Sequence, residues 1–163
     1  MKKFQTLSMK QNKTYWNSTI RIKKKKKVRH HKKIKQIPLP KLKKQLWEVI
    51  KVYIKLRDGK MCVSCRKREG TQTGHYLPKS ACNLIYKYYE KNLGRQCAYC
   101  NLYLKGNAVE YRKYQIKKWG LKSVEEMERS YNLPLPLNFS PRPWIMDNIK
   151  WYKRQISSYR KIL

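Results

Sequence analysis

The sequence predicts an α+β fold: a small core of short β-like pieces tied by paired cysteines, flanked by helices, with a basic arm in front and an amphipathic helix behind. Three observations carry this. Cysteines recur as two C-x2-C hooks, Cys62–Cys65 and Cys97–Cys100. Apolar residues recur at helical spacing on both sides of the hooks. The opening segment has no acidic residue at all, the first being Glu48. The chain divides accordingly into a basic arm (1–40), a cysteine-bearing domain (41–131), and a linker with a C-terminal helix (132–163).

The arm contains "IRIKKKKKVRHHKKIKQ". Like charges in such a block repel, so it is expected to be disordered and to act as an interaction arm. His30 and His31 belong to it. "IPLP", Ile37–Pro40, then breaks the chain and starts the folded region. In "KLKKQLWEVIKVYIKLRDG", Leu42, Leu46, Val49, Ile50, Tyr53 and Leu56 return every three or four residues. That is one face of a helix, and Gly59 stops it. Residues 60–106 hold the cysteines and the short β-like pieces. Asn107 as N-cap and Glu110 three residues on predict a helix over "GNAVEYRKYQIKKWG". Ser123 and Glu126 repeat that capping pattern. "NLPLPLNFSPRP" is a proline-broken linker. The last helix starts near Pro141–Trp144, with a stripe of Ile145, Ile149, Tyr152, Ile156, Tyr159 and Leu163. This stripe packs on the domain or on another subunit.

Charge narrows the function. Lys and Arg number 41 against 9 Asp and Glu, a formal charge of +32. A polyanion is the expected partner, and DNA or another nucleic acid is the first choice. An anionic membrane surface is the alternative. Thirteen Tyr and five Trp among the lysines suit base stacking beside backbone tracking. No apolar run reaches membrane-span length, and the N-terminus lacks the apolar stretch of a secretory signal. The expected location is therefore intracellular, in the cytoplasm. Cysteines there stay reduced and bind metal.

Each hook can present two thiolates from a tight turn, so Cys62, Cys65, Cys97 and Cys100 complete a tetrahedron around Zn²⁺. Four thiolates leave no open position, which makes the zinc structural. Cys82 is left over and reads as a small apolar filler. Between the hooks lies "TGHYLPKS", with the one histidine outside the arm, His75. A neutral imidazole can accept a proton near physiological pH.

The order C-x2-C, His, Asn-Leu, C-x2-C, Asn resembles the ββα-metal, or HNH, nucleases that carry a zinc knuckle. With "LWEVIKVYIKLRDG", "CVSC", "GHY", "NLGRQCAYCN", "GNAVEYR" and "VEEME", the stretch from Leu42 to Glu128 resembles the NinG/Rap family of phage recombination endonucleases. The resemblance implies a zinc-stabilised HNH-like ββα core and metal-dependent cleavage of branched, Holliday-type DNA in the host cell. By position it makes His75 the general base and Asn92 the residue that orders the loop and sets the histidine. It puts Asn101 where many HNH enzymes bind a catalytic metal, Mg²⁺ or Mn²⁺, with Asn107 and Glu110 as further ligands or as caps. His75 and Asn101 are expected to face one cleft. Two positions depart from the pattern. Gly74 stands where many HNH enzymes have a metal-binding Asp, and Gly94 where NinG-like sequences often have His. Lys79, Arg95, Lys105 and Arg112 are candidate phosphate contacts. Symmetric cutting of a four-way junction would favour a homodimer. The competing reading is a non-catalytic, zinc-stabilised DNA-binding accessory protein for recombination.

Overall fold

The structure, a computed structural model, describes residues 36–162. The basic block of the arm, with His30 and His31, lies outside the described residues, as does Leu163. The elements run α1 (Leu39–Asp58), β1 (Gln72–His75), α2 (Leu84–Lys87), a 3-10 turn (Glu90–Asn92), β2 (Leu93–Gln96), a π-type turn (Tyr99–Tyr103), α3 (Ala108–Trp119), α4 (Leu121–Ser130) and α5 (Pro141–Ile162). This is a mixed helical fold with one small two-stranded sheet, an α+β arrangement. None of the described helices is long and apolar enough to cross a membrane.

α1 begins within the "IPLP" stretch, because a proline in the first turn forfeits an N–H that has no helical partner anyway. It buries Leu42, Leu46, Ile50, Tyr53 and Ile54, with Val49 and Leu56 at the margin. It ends where Gly59 takes φ 70°, a left-handed value that glycine adopts without strain. α5 answers it. Ile145, Tyr152 and Ile156 pack into the same core, with Ile149 and Tyr159 partly buried beside them. The Tyr53 ring lies 5.1 Å from that of Tyr152, and the Tyr152 hydroxyl donates to the Tyr88 carbonyl at 2.7 Å. Each fully buried side chain of the Leu46 or Ile145 kind contributes about 2 kcal/mol. The C-terminal stripe thus packs on the domain itself.

β1 and β2 pair antiparallel, Gln72 opposite Gln96, Gly74 opposite Gly94 and His75 opposite Leu93. The pleat sends Gln72, Gly74, Gly94 and Gln96 to one face and Thr73, His75, Leu93 and Arg95 to the other. α1 covers the second face, since Leu93 joins its core and the His75 ring lies on Trp47. The cysteine hooks and α3 cover the first. A Cβ at Gly94 would run into the Tyr111 hydroxyl of α3 and touch Val63 at 3.0 Å. At Gly94 helix and hook press on the strand, and at Gly74 the Gln96 and Asn101 side chains do.

Two expected capping boxes do not form. Asn107 precedes α3 but sits at φ 51°, ψ 58°, a left-handed conformation without a capping bond. Its amide instead points to the Cys100 sulfur at 3.5 Å, and Glu110 bonds Lys113 at 2.7 Å. α4 starts at Leu121, directly after Gly120 at φ 82°. Ser123 is therefore inside the helix, where its hydroxyl accepts from Lys91 at 2.9 Å. A glycine in the left-handed region turns the chain from α3 to α4 without the linker a serine cap would need.

Candidate metal centre and histidine hairpin

Both hooks are built by backbone bonds. Cys62 N–H donates to the Arg68 carbonyl and Val63 N–H to that of Arg95, which fixes the first hook on β2. Arg66 closes the turn at φ 55°. In the second hook Cys100 N–H points at the Cys97 sulfur, 3.4 Å away. The four sulfurs lie within 4.8 Å of one another, and those of Cys65 and Cys97 are 3.9 Å apart. Zn–S bonds of about 2.3 Å in a tetrahedron put sulfurs about 3.8 Å apart, so the donor set fits a zinc ion with little adjustment. Burial pushes the Cys65 thiol up, but the N–H groups of Lys67 and Arg68 and the sulfhydryls of Cys100 and Cys62 outweigh it and bring it to about 6. Burial and the neighbouring sulfurs push Cys100 up to about 12, against the opposing Asn107 amide. Thiols crowded this closely need a cation between them to ionise together.

His75 stacks on Trp47 with centroids 5.5 Å apart and planes 12° from parallel. Its Nε2 lies 3.0 Å from the Lys87 carbonyl. A carbonyl only accepts, so Nε2 carries the proton and Nδ1 keeps the lone pair. Burial pushes the imidazole down to about 4; the charges of Lys79 and Lys87 act the same way, and the Lys87 carbonyl opposes them. The ring is neutral at pH 7. Asn92 is fully buried and staples the loop after β1. Its Oδ1 accepts from Leu77 N–H at 2.7 Å, and its Nδ2 donates to the Tyr86 carbonyl at 3.0 Å. The same Nδ2 reaches the Cys82 sulfur at 3.4 Å, so Cys82 is buried filler that also accepts a bond.

The expected catalytic-metal set is not assembled. Asn101 lies on the hook side of the hairpin, donating to Gln72 Oε1 at 2.7 Å, while the His75 ring lies on the α1 side. The two do not face one cleft, because the pleat separates position 75 from the face that Asn101 covers. A Cβ at Gly74 would overlap the Gln96 amide oxygen and sit 2.7 Å from Asn101 Oδ1, so the Gln96 and Asn101 side chains fill the space that a carboxylate there would need. Asn107 is turned to sulfur and Glu110 to Lys113. Among the described residues the four cysteines are the one cluster of three or more His, Cys, Asp or Glu able to share a metal. Mg²⁺ and Mn²⁺ take oxygen ligands with carboxylates among them, and these residues do not fit that demand.

The four candidate phosphate contacts also separate. Lys79 and Lys105 are exposed, with the Lys79 ammonium 5.8 Å from the Trp47 ring centre. Arg95 is only 8% exposed and is spent on the Gly70 and Gly59 carbonyls and on Glu69. It holds the hairpin against the end of α1 and is not free for phosphate. Arg112 makes a two-bond pair with Glu128, at 2.8 and 3.0 Å, and the Tyr76 hydroxyl bonds the same carboxylate.

Sequence reasoning missed Asp58. Its carboxylate is fully buried and accepts from Arg57 at 2.8 and 2.9 Å, Lys118 at 2.7 Å, Tyr114 at 3.1 Å and the Arg95 N–H at 3.0 Å. Burial pushes this carboxyl up, but the bonds and charge of Arg57 outweigh that, with Lys118 behind, and hold it below the usual carboxylate value. Arg57 in turn donates to the Glu90 and Leu93 carbonyls at 2.7 and 2.6 Å, so the cluster locks α1, β2 and α3 together. A signal was present: an acid at a helix C-terminus opposes the helix dipole, and this chain has few acids to misplace.

The model of the family described as "Bacteriophage Lambda NinG protein" matches residues 1–161. The chain is 33% identical over 92 residues to "Protein ninG" of Escherichia phage lambda, which is 55% of this chain and 45% of that protein. It is 32% identical over 91 residues to "Protein ninG" of Salmonella phage P22, 54% of this chain and 44% of that one. The matched region spans about half the length of these curated relatives. No solved structure matches. With the family model running over nearly all of its length, the chain belongs to the NinG family of phage proteins.

Proposed function

We propose that this NinG-family chain is a zinc-stabilised recombination endonuclease that hydrolyses phosphodiester bonds in branched, Holliday-type DNA. The observation that supports the reading is the placement of His75: oriented by the Lys87 carbonyl, backed by Trp47, and carried on a hairpin clamped by four cysteines. In the reaction Nδ1 takes a proton from water, the water oxygen bonds to phosphorus, and the leaving oxygen departs with the P–O electrons and is protonated by solvent. The Lys79 ammonium, 5.8 Å from the centre of the Trp47 ring that backs His75, balances charge on the phosphate. The Mg²⁺ or Mn²⁺ that the family resemblance implies finds no carboxylate set here, and no step is assigned to it. Symmetric cutting of a junction would use two copies of the chain.

A second reading, a non-catalytic DNA-binding accessory protein, is favoured by the missing carboxylate at Gly74. Cleavage of a labelled four-way junction with Mg²⁺ or Mn²⁺ separates the two. His75→Ala should lose about 10²–10⁴-fold in cleavage rate while keeping its zinc and junction affinity. Wild-type protein that binds the junction and never cuts it leaves the accessory reading.

A further inference from the structure

The π-type turn after the second hook carries an exposed apolar surface that the proposed chemistry does not use. Tyr99, Leu102, Tyr103 and Leu104 are all exposed, Leu102 at 60% and Tyr103 at 76%. Scattered surface apolar residues are ordinary, but three in a row on one tight turn are not. The turn is stiff. Leu104 N–H donates to the Tyr99 carbonyl at 3.0 Å, Gly106 N–H to that of Cys100 at 2.8 Å, and Asn107 N–H to that of Leu104 at 2.8 Å. It grows directly from the four-cysteine centre, and its backbone bonds hold Leu102 and Tyr103 at the surface. The Tyr99 and Tyr103 rings lie 6.0 Å apart.

The rim of this surface is cationic. The Arg68 guanidinium lies over the Tyr99 ring at 4.3 Å, and Lys105 follows Leu104 in the chain. The acids nearest in sequence are engaged, Glu69 by Arg95 and Glu110 by Lys113. A second copy of a chain with +32 formal charge is repelled from such a rim, whereas a polyanion is attracted. Aromatic faces beside cations match unpaired nucleotides, whose bases stack on the rings while their phosphates meet the rim. Fully paired DNA offers no free base face to stack on.

We infer that Leu102 and Tyr103 form a stacking wedge for unpaired bases of DNA, engaging single strands or the open centre of a branch. This rests on the DNA reading above and adds to it the feature of DNA that is recognised. The turn would discriminate branched from linear DNA without reading sequence.

The test compares wild type with a Leu102→Ala/Tyr103→Ala double variant. Probes are a labelled oligothymidine and a fully paired duplex of equal length, titrated without Mg²⁺. Both residues are exposed, so the variant should keep its zinc, measured by elemental analysis. The expected result is about a tenfold rise in Kd for oligothymidine with less than about a twofold change for duplex. The salt slope should stay the same, because no phosphate contact is removed. Tyr103→Trp should keep single-strand affinity. Equal losses on both probes, or no loss on either, overturn the inference. So does a wild-type dimer that the double variant turns into a monomer with DNA affinity unchanged, which would make the surface a contact between copies. Wild type that binds both probes yet cuts no junction sinks the endonuclease reading and leaves this one standing.

Discussion

Asp58→Asn should be among the most damaging single changes available outside the cysteines. The substitution keeps shape and removes one charge. Arg57 and Lys118 then remain, with side chains 4% and 25% exposed, and no buried anion faces them. The asparagine amide adds a second fault. One carboxylate oxygen accepts from Arg57 and the Arg95 N–H, the other from Arg57, Tyr114 and Lys118. Whichever way the amide turns, its NH2 faces donors. Removing one partner of a buried ion pair costs about 3–5 kcal/mol. Small domains hold about 5–15 kcal/mol in all, so much of the stability goes. Urea unfolding with excess zinc, followed by tryptophan fluorescence, reads the loss as a lower midpoint. Tyr114→Phe, which drops the bond to Asp58 and the one accepted from Lys118, should cost about 2 kcal/mol and stay measurable if Asp58→Asn does not fold. Lys118→Met added to Asp58→Asn should recover part of the loss by removing an unpaired cation. A cost below about 1 kcal/mol for Asp58→Asn would refute the view that this carboxylate locks α1, β2 and α3.

Other outcomes follow from the same geometry. Cys97→Ser should lose zinc and unfold the hairpin region, whereas Cys82→Ser should be mild; elemental analysis and circular dichroism check both. The His75 imidazole is held at about 4 when folded, against about 6.5 unfolded, so the unfolded chain binds the extra proton and stability is lost as the pH is lowered across that window. From pH 7 to pH 5 this removes about 2 kcal/mol, and the wild-type minus His75→Asn difference in urea midpoint should shift by a matching amount; a difference that stays constant with pH would mean that the ring is not buried neutral. Deleting residues 21–35 should weaken DNA binding and flatten its dependence on salt, while junction preference persists; an unchanged slope would mean that the arm touches no phosphate.

Several features were legible in the sequence because they are local. Each C-x2-C spacing brings two thiols together by turn geometry, and the four sulfurs do meet once the first hook is bonded to β2. The stripes of α1 and α5 follow from helical periodicity, and both faces are buried as the spacing requires. Charge is a sum over residues and needs no fold. Capping was less legible. Asn107 has the right residue type, but the nearby Cys100 sulfur takes its amide, and only the folded hook puts that sulfur there.

What the tertiary structure alone decided is which partner each polar group meets. Arg95 and Arg112 look alike in sequence, yet one is buried beneath the end of α1 and the other is paired at the surface of α3. Gly74 and His75 are neighbours in the chain, and the pleat sends them to opposite covers, one beneath Gln96 and Asn101 and one against Trp47. Local preference fixes backbone shape over a few residues, whereas a charge or an imidazole takes its character from side chains that arrive from elements far along the chain.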